Sequence, residues 1–600
     1  MPQHTTLSML LPAAWAQAAP LSGLDKSLAN LLQTKQPSDD VRHVWLVALT
    51  SHQWGRGHAC LDLTTLRTQA AVLLGWTDEQ TELLPEHLAD AAATLPWVQG
   101  EACPLVLSDD GTRLYLRRAW TAEQNIRHNI AQRLALPCEA PADLQHRLDE
   151  LFPPTRDGSS DMQRTACEVA AQNRITLITG GPGTGKTTTV VKLLSLLVRT
   201  APRELQIHLA APTGKAAARL TESISNALTK MPADQRPHMP RQAQTLHRLL
   251  QTNSRANQVH QLATDVVVVD EASMIDLEMM ARLLQAVPAS ARLILLGDKD
   301  QLASVEAGAV MSQLCTGSLL QHQTVTLMHS HRFDAKSGIG QWARAVNAEV
   351  TDNTPAIKAL WHAAPDWLAT LPVQQRIDGD APQADVTRLQ IASAHDPKLA
   401  VGLRYGWRHW LALLEPHRAP TTPQPCSDQE AVALLQAFTE FCVLCAVREG
   451  PLGVTQLNAQ VEHALGLGQA TWYTGRPVMV TRNDYALDLM NGDIGLCLPA
   501  PDGVLRVAFP AVEGGVRWVM PSRLDSVDTV FAMTVHKSQG SEFAHVLLVL
   551  PTLESPVLTR ELVYTGLTRA KQRLTLWAPQ LGVLYNACAR RVLRSGGLGD

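Results

Sequence analysis

Residues Gly180–Thr187 read GGPGTGKT, set between the apolar run ITLIT (175–179) and the helix-patterned TTVVKLLSLLV (188–198). Strand, glycine-rich turn and helix in that order build a phosphate cradle. Glycines let successive backbone N–H groups turn inward, and the helix behind adds the positive end of its dipole. Gly180, Gly181, Pro182, Gly183, Thr184 and Gly185 form the predicted loop. Lys186 is expected to reach the β and γ phosphates of ATP, Thr187 to offer its hydroxyl to Mg²⁺, and Thr188 to complete the nucleotide-binding run. The partner carboxylates stand in VVVVDEAS (266–273). Asp270, at the end of a buried strand, is expected to hold Mg²⁺ with Thr187, and Glu271 to take a proton from the water that attacks the γ phosphate. Around these motifs, the runs 175–179, 207–211, 266–269 and 293–296 are short, apolar on both faces and separated by helical stretches. That pattern predicts an α/β unit whose parallel sheet is covered on both sides.

Composition narrows the rest. Six hundred residues suggest roughly four domains of about 150 residues each. A hydrophobic share of 45%, with 18% charged and 4% aromatic, is that of a folded globular chain rather than a disordered, collagenous or membrane one. Lys plus Arg number 52 against 56 Asp plus Glu, so nucleic-acid contact must come from a local groove rather than a basic coat. Ten cysteines are too sparse for a disulfide framework, which points to reduced thiols and a cytoplasmic setting. Cys442 and Cys445 have no second pair for zinc and read as core; His58 and Cys60 read as packing for the same reason. The apolar stretch 7–19 lacks the basic leader of a secretory signal, and no run reaches the roughly 18–20 residues that cross a bilayer.

Punctuation divides the chain. FPPTRDGSS (152–160) reads as a linker, and PLVLSDDGTRLYLRR (104–118) as a hairpin turning at Asp110-Gly111 within a mainly helical region 1–150. The first α/β unit is expected over 160–350. A junction and the start of a second unit are expected over 351–430, with that unit continuing over 431–600. Short strand candidates at 478–481, 494–498, 505–509 and 516–520 predict a small β-barrel inserted at about 475–530.

Further segments resemble, in order, those of the RecD family of superfamily-one DNA helicases, the alpha subunits of exodeoxyribonuclease V (RecBCD). They are MQRTA (162–166), APTGKAAARL (211–220), QTLHRLL (244–250), LLGDKDQLASVEAG (295–308), SHRFDAKSGIG (330–340), TRNDYALDLMNGDIG (481–495), MTVHKSQGSEF (533–543) and LVYTGLTRAK (562–571). The resemblance implies two RecA-like parallel-sheet motor domains, a helical N-terminal domain that joins a partner and an SH3-like inserted barrel. By the same resemblance Gln163 reads the adenine edge, Gln301 senses the γ phosphate, and Arg332 and Arg569 are arginine fingers placed opposite the phosphate loop. Gly540 and Glu542 lie near the nucleotide. Pro212, Thr213, Gly214, Lys215, Thr245, His247, Thr534, His536, Lys537 and Ser538 hold single-stranded DNA. Read without the resemblance, Gln163 is an ordinary helix residue, Thr245 and His247 a helix face, and Asp298 and Asp300 turn residues. His331 stands where the family has an aromatic residue.

The resemblance further implies 5′-to-3′ travel on DNA, action at duplex ends in double-strand-break repair, and a heterotrimer with RecB-like and RecC-like subunits in which the nuclease belongs to the RecB-like partner. Two other readings remain: a RecD-type helicase working alone, and a binding subunit whose ATPase is vestigial. The intact Lys186, Asp270, Glu271, Gln301, Arg332 and Arg569 speak against the last.

Overall fold

A computed structural model describes residues 20–599 apart from 99, 101, 154–160, 230–238, 252–259, 331, 334–336, 351, 372–383, 419–422, 469, 485 and 512–513. The leader-like run, His331, most of the linker and parts of the 351–385 and 420–425 stretches therefore lie outside the described residues.

The amino-terminal region carries helices Gly23–Lys35, Val41–Gly55, Leu63–Leu74 and Arg117–Ala135. They surround a small antiparallel sheet of β1 (Cys60–Asp62), β2 (Leu105–Leu107) and β3 (Arg113–Leu116) in the order β1-β3-β2. The expected hairpin is β2–β3. Asp110 closes its turn by accepting hydrogen bonds from the Ser108 hydroxyl and from the backbone N–H and hydroxyl of Thr112.

The apolar runs around the phosphate loop are the centre of a six-stranded, all-parallel sheet. Its strands are β4 (Ile175–Gly180), β5 (Ile207–Ala211), β6 (Ala243–Thr245), β7 (Val266–Val269), β8 (Arg292–Gly297) and β9 (Thr324–Leu327), ordered β6-β5-β7-β8-β4-β9. All four valines of β7 are fully buried, as β-branched residues sandwiched between helical layers should be.

The chain then builds β10 (Val386–Arg388) and β11 (Phe441–Cys445). An insertion follows, of β12 (Pro477–Val480), β13 (Ile494–Pro499), β14 (Leu505–Pro510), β15 (Val516–Val519) and β16 (Val527–Thr529), before β17 (Ala532–Thr534), β18 (Phe543–Val549) and β19 (Ala570–Trp577). The second parallel sheet is ordered β10-β19-β18-β11-β17. Cys442 and Cys445 lie in buried β11 as core residues, and burial pushes the Cys442 thiol up to about 12. The insertion is a five-stranded antiparallel sheet ordered β15-β14-β13-β12-β16. Among the described residues its edge strands β15 and β16 do not pair with each other, so the SH3-like closure expected from sequence is not seen.

Two packing details adjust the expected boundaries. Helix Gly338–Asn347, assigned by sequence to the first unit, places Ile339, Trp342 and Val346 in one core with Val546 and Leu562 of the second. The carboxyl-terminal tail returns to the amino-terminal region. Ser595 O accepts from Ala59 N at 2.8 Å, and Gly597 N donates to the Glu123 carboxylate at 2.9 Å.

Candidate functional site

The phosphate loop begins where β4 ends. Gly183 and Gly185 adopt φ of 77° and 83°, left-handed values that a side chain would strain, and Gly185 caps helix Lys186–Thr200. Lys186 Nζ donates to the carbonyls of Gly180 at 2.5 Å and Gly181 at 3.1 Å, so the ammonium is held at the mouth of the loop. In front of it lies a cavity of about 430 Å³ between the two parallel-sheet units. Pro182 through Thr188, Asp270, Glu271, Gln301, Arg332, Glu542 and Arg569 all line it. Every side chain expected to take part in catalysis is thus brought together.

Charge within the cleft is unevenly shared. Burial and the adjacent Glu271 carboxylate push Asp270 up to about 6, against the pull of Lys186. Two neighbouring acids at a strand end, lining the same cavity as Thr187, form a donor set suited to a hard divalent cation. Glu271 sits at φ 54°, the kind of strained backbone that clusters at functional sites. Gln301 Nε2 donates to Asp298 Oδ2 at 3.1 Å, and the Tyr564 hydroxyl of the second unit donates to the same oxygen at 3.1 Å. Asp298 is therefore more than a turn residue, because it connects Gln301 to the opposite wall. Leu302 N to Thr565 Oγ1 at 2.9 Å and Gln539 Nε2 to Leu302 O at 2.9 Å close the same seam.

One expectation changes. Arg332 does not come from the wall opposite the loop. It follows β9 on the connector and packs against Gly183, so Glu542 and Arg569 are the groups the second unit supplies. Gln163 adjoins the loop, its side-chain amide donating to Thr184 O at 3.2 Å. Gly540 lies against Ala216, which itself lines the cavity. Of the lining residues that escaped the sequence reading, Arg219 carries charge. It sits on helix Gly214–Leu228 and forms an ion pair with Glu542, which also binds Arg332 Nη2 at 2.8 Å. Burial would raise the Glu542 carboxyl, but Arg219 and Arg332 overrule it and hold it down at about 2.

The expected DNA contacts gather at the carboxyl edges of the two sheets. Pro212 and Thr213 follow β5, and the Thr213 hydroxyl caps helix Gly214–Leu228 through Ala216 N at 3.2 Å. Thr245 ends the adjacent β6, with His247 in the helix that follows. Across the cleft Thr534 ends β17, and Thr534 and His536 line a second cavity of about 510 Å³. Its other walls are the loops 446–452 and 551–557, which sequence motifs did not mark because three separated loops meet there. Lys537 is exposed and donates to Asn491 Oδ1 of the insertion at 3.1 Å. One expected contact is not presented outward. Ser538 is fully buried, with its hydroxyl donating to Val535 O at 2.7 Å. Lys215 is half-buried beside Cys442 and Asp493, where desolvation lowers its pKa, and Gly214 abuts Met490.

Among the described residues one other group of metal-ligating side chains converges, His417, Cys426 and Glu430. Each is already engaged. His417 Nδ1 donates to Gln424 O at 2.8 Å, Cys426 Sγ lies 3.5 Å from Ser427 O, and Glu430 closes a capping box with Ser427. No helix among the described residues is long and apolar enough to cross a membrane.

Comparison with known proteins supplies independent findings. Residues 17–115 match the family described as RecBCD enzyme subunit RecD, N-terminal domain; 163–307 match an AAA domain, and 529–577 a UvrD-like helicase C-terminal domain. The chain is 38% identical to the RecBCD enzyme subunit RecD of Mycolicibacterium smegmatis, covering 96% of this chain and 97% of that one. It is 32% identical to the RecBCD enzyme subunit RecD of Haemophilus influenzae, again over 96% and 97%. The ATP-dependent RecD2 DNA helicase of Deinococcus radiodurans is 30% identical over 85% of this chain but only 59% of its own length.

Proposed function

The chain belongs to the RecD family of RecBCD enzyme subunits, and from that premise together with the cleft we propose that it is the ATP-dependent DNA helicase subunit of a RecBCD-type complex. The observation that carries the reading is the single cavity between two parallel-sheet units. The phosphate loop, Asp270, Glu271 and Gln301 come from one unit, and Arg569 and Glu542 from the other. ATP seated there contacts both walls, so its binding and hydrolysis change how strongly the walls attract.

Within this reading Lys186 binds the β and γ phosphates, Glu271 accepts the proton of the attacking water, and Gln301 orients that water while reporting through Asp298 to Tyr564 of the second unit. Thr187 and Asp270 would hold Mg²⁺, which when bound neutralises charge on the phosphates. Arg569 and Arg332 stabilise the charge that builds on the transferred phosphoryl group. An arginine finger contributes about 10³ to 10⁵ in rate, or about 4–7 kcal/mol, so chemistry is coupled to closure of the walls. Opening and closing then alternate two grips on a DNA strand, one at Thr213 and Thr245, the other at Thr534, His536 and Lys537. Separating a base-pair step costs about 1.4 kcal/mol, a modest load for such a cycle.

The finer parts of the proposal are 5′-to-3′ travel, a role for residues 1–150 in joining a RecC-like subunit, the nuclease on a RecB-like subunit, and a first motor unit that ends before helix Gly338–Asn347. Unwinding of duplexes bearing only a 5′ or only a 3′ tail, by the purified heterotrimer, tests the direction of travel. ATP-dependent displacement from the 5′ tail is the expected outcome, and displacement from the 3′ tail alone would reverse the direction. Co-purification with two large subunits separates this reading from a helicase that works alone.

A further inference from the structure

Glu542 serves three cations with one carboxylate. It pairs with Arg219, with Arg332 at 2.8 Å and with Lys571 at 3.8 Å, while its side chain is only 7% exposed. Arg332 Nη1 is buried without a hydrogen-bond partner. Cations therefore exceed anions at this end of the cleft, and a buried guanidinium N–H without an acceptor carries a desolvation cost that an anion would remove. Arg219 and Arg332 both line the cavity that holds the phosphate loop, and Arg219 also senses Glu271 and Asp270. Its chain position matters too. Helix Gly214–Leu228 follows β5 of the first sheet, whereas Glu542 lies between β17 and β18 of the second.

We propose that Arg219 is a third arginine of the nucleotide site, held in reserve by Glu542, and that the terminal phosphate of ATP takes it over. The inference rests on reading the cleft as a nucleotide site. The carboxylate is then an internal stand-in for a phosphate: without nucleotide it ties the two units together through Arg219 and Arg332. Nucleotide binding exchanges that ion pair for contacts of the same arginines to the ligand. Guanidinium groups suit the exchange because their planar fork donates to a carboxylate or a phosphate in the same geometry. Glu542 thereby competes with ATP, and the competition makes cleft closure responsive to the terminal phosphate.

The test measures dissociation constants of a nonhydrolysable ATP analogue and of ADP, by displacement of a fluorescent nucleotide from the assembled complex. The proteins are wild type, Arg219→Ala, Arg219→Lys, Glu542→Gln and Lys186→Gln, each with its thermal unfolding recorded. Arg219→Ala is expected to weaken the ATP analogue about ten- to hundredfold, the range for loss of charge-assisted hydrogen bonds, and ADP by less than about threefold. Arg219→Lys should fall between. Glu542→Gln should tighten the ATP analogue several-fold by releasing both arginines. Equal losses for ATP analogue and ADP in Arg219→Ala, no loss for either, or weaker binding in a folded Glu542→Gln would each overturn the proposal. Lys186→Gln provides the separate control: unchanged affinity there would reject the nucleotide reading itself, whatever the Arg219 variants do.

Discussion

Replacing Arg569 should separate catalysis from stability by magnitude. The guanidinium is 2% exposed, donates through Nε to Thr565 O at 3.2 Å and through Nη1 to Ser541 O at 3.3 Å, and lines the cleft beside Glu271 and Glu542. Removing it leaves two carbonyls without those donors, which costs about 1–3 kcal/mol for each that stays buried and unpaired. The catalytic loss is larger, about 4–7 kcal/mol or 10³- to 10⁵-fold in kcat. Arg569→Lys keeps a positive charge but loses the fork, so it should recover stability better than turnover. The assay pairs DNA-stimulated ATP hydrolysis, with kcat and KM resolved, against thermal unfolding of the same protein. The reasoning requires kcat to collapse at saturating ATP in a variant that remains folded. A folded Arg569→Ala enzyme with kcat within about tenfold of wild type would refute the finger assignment.

Other consequences follow from particular contacts. Lys186→Gln should leave the fold intact, since the lysine bonds only loop carbonyls, yet abolish DNA-stimulated hydrolysis; normal strand-dependent turnover would reject the loop assignment. Lys537→Ala should weaken single-stranded DNA binding and lower its salt slope by about 0.7 for the lost phosphate contact. Ser538→Ala should leave DNA affinity unchanged and cost about 1 kcal/mol of stability through the broken turn, as titrations at several salt concentrations would reveal. Glu542 is ionised in the folded protein down to about pH 2, below its ordinary value of 4.5. Its contribution, at most about 3 kcal/mol, is therefore fully present above pH 4.5 and fades as pH falls toward 2. Over that acid range the unfolding temperature of wild type should fall further than that of Glu542→Gln.

What the sequence disclosed, and what it hid, follows from where each residue acts. The central strands β4, β5, β7 and β8 were readable because burial of most of their length on both faces demands a mainly apolar run. Strand β6 (AQT) and strand β16 (VDT) were not, being short edge strands with half-exposed polar residues. The phosphate loop is contiguous, so spacing alone exposes it. Arg219 became visible only when the second unit brought Glu542 across to it. Ser538 shows the opposite failure, because the letters of its motif do not reveal that the turn directs its hydroxyl inward.

Nucleotide must move the two sheet units relative to each other if the cleft drives a motor. Distances between labels at exposed Asn226, on the helix of Arg219, and exposed Gln429, in the second unit, measure that directly in the assembled complex on single-stranded DNA. The predicted result is a distance distribution that changes between the nucleotide-free, ATP-analogue and ADP states, and ceases to respond in Lys186→Gln. One distribution, identical in every nucleotide state of the wild-type protein, would contradict it.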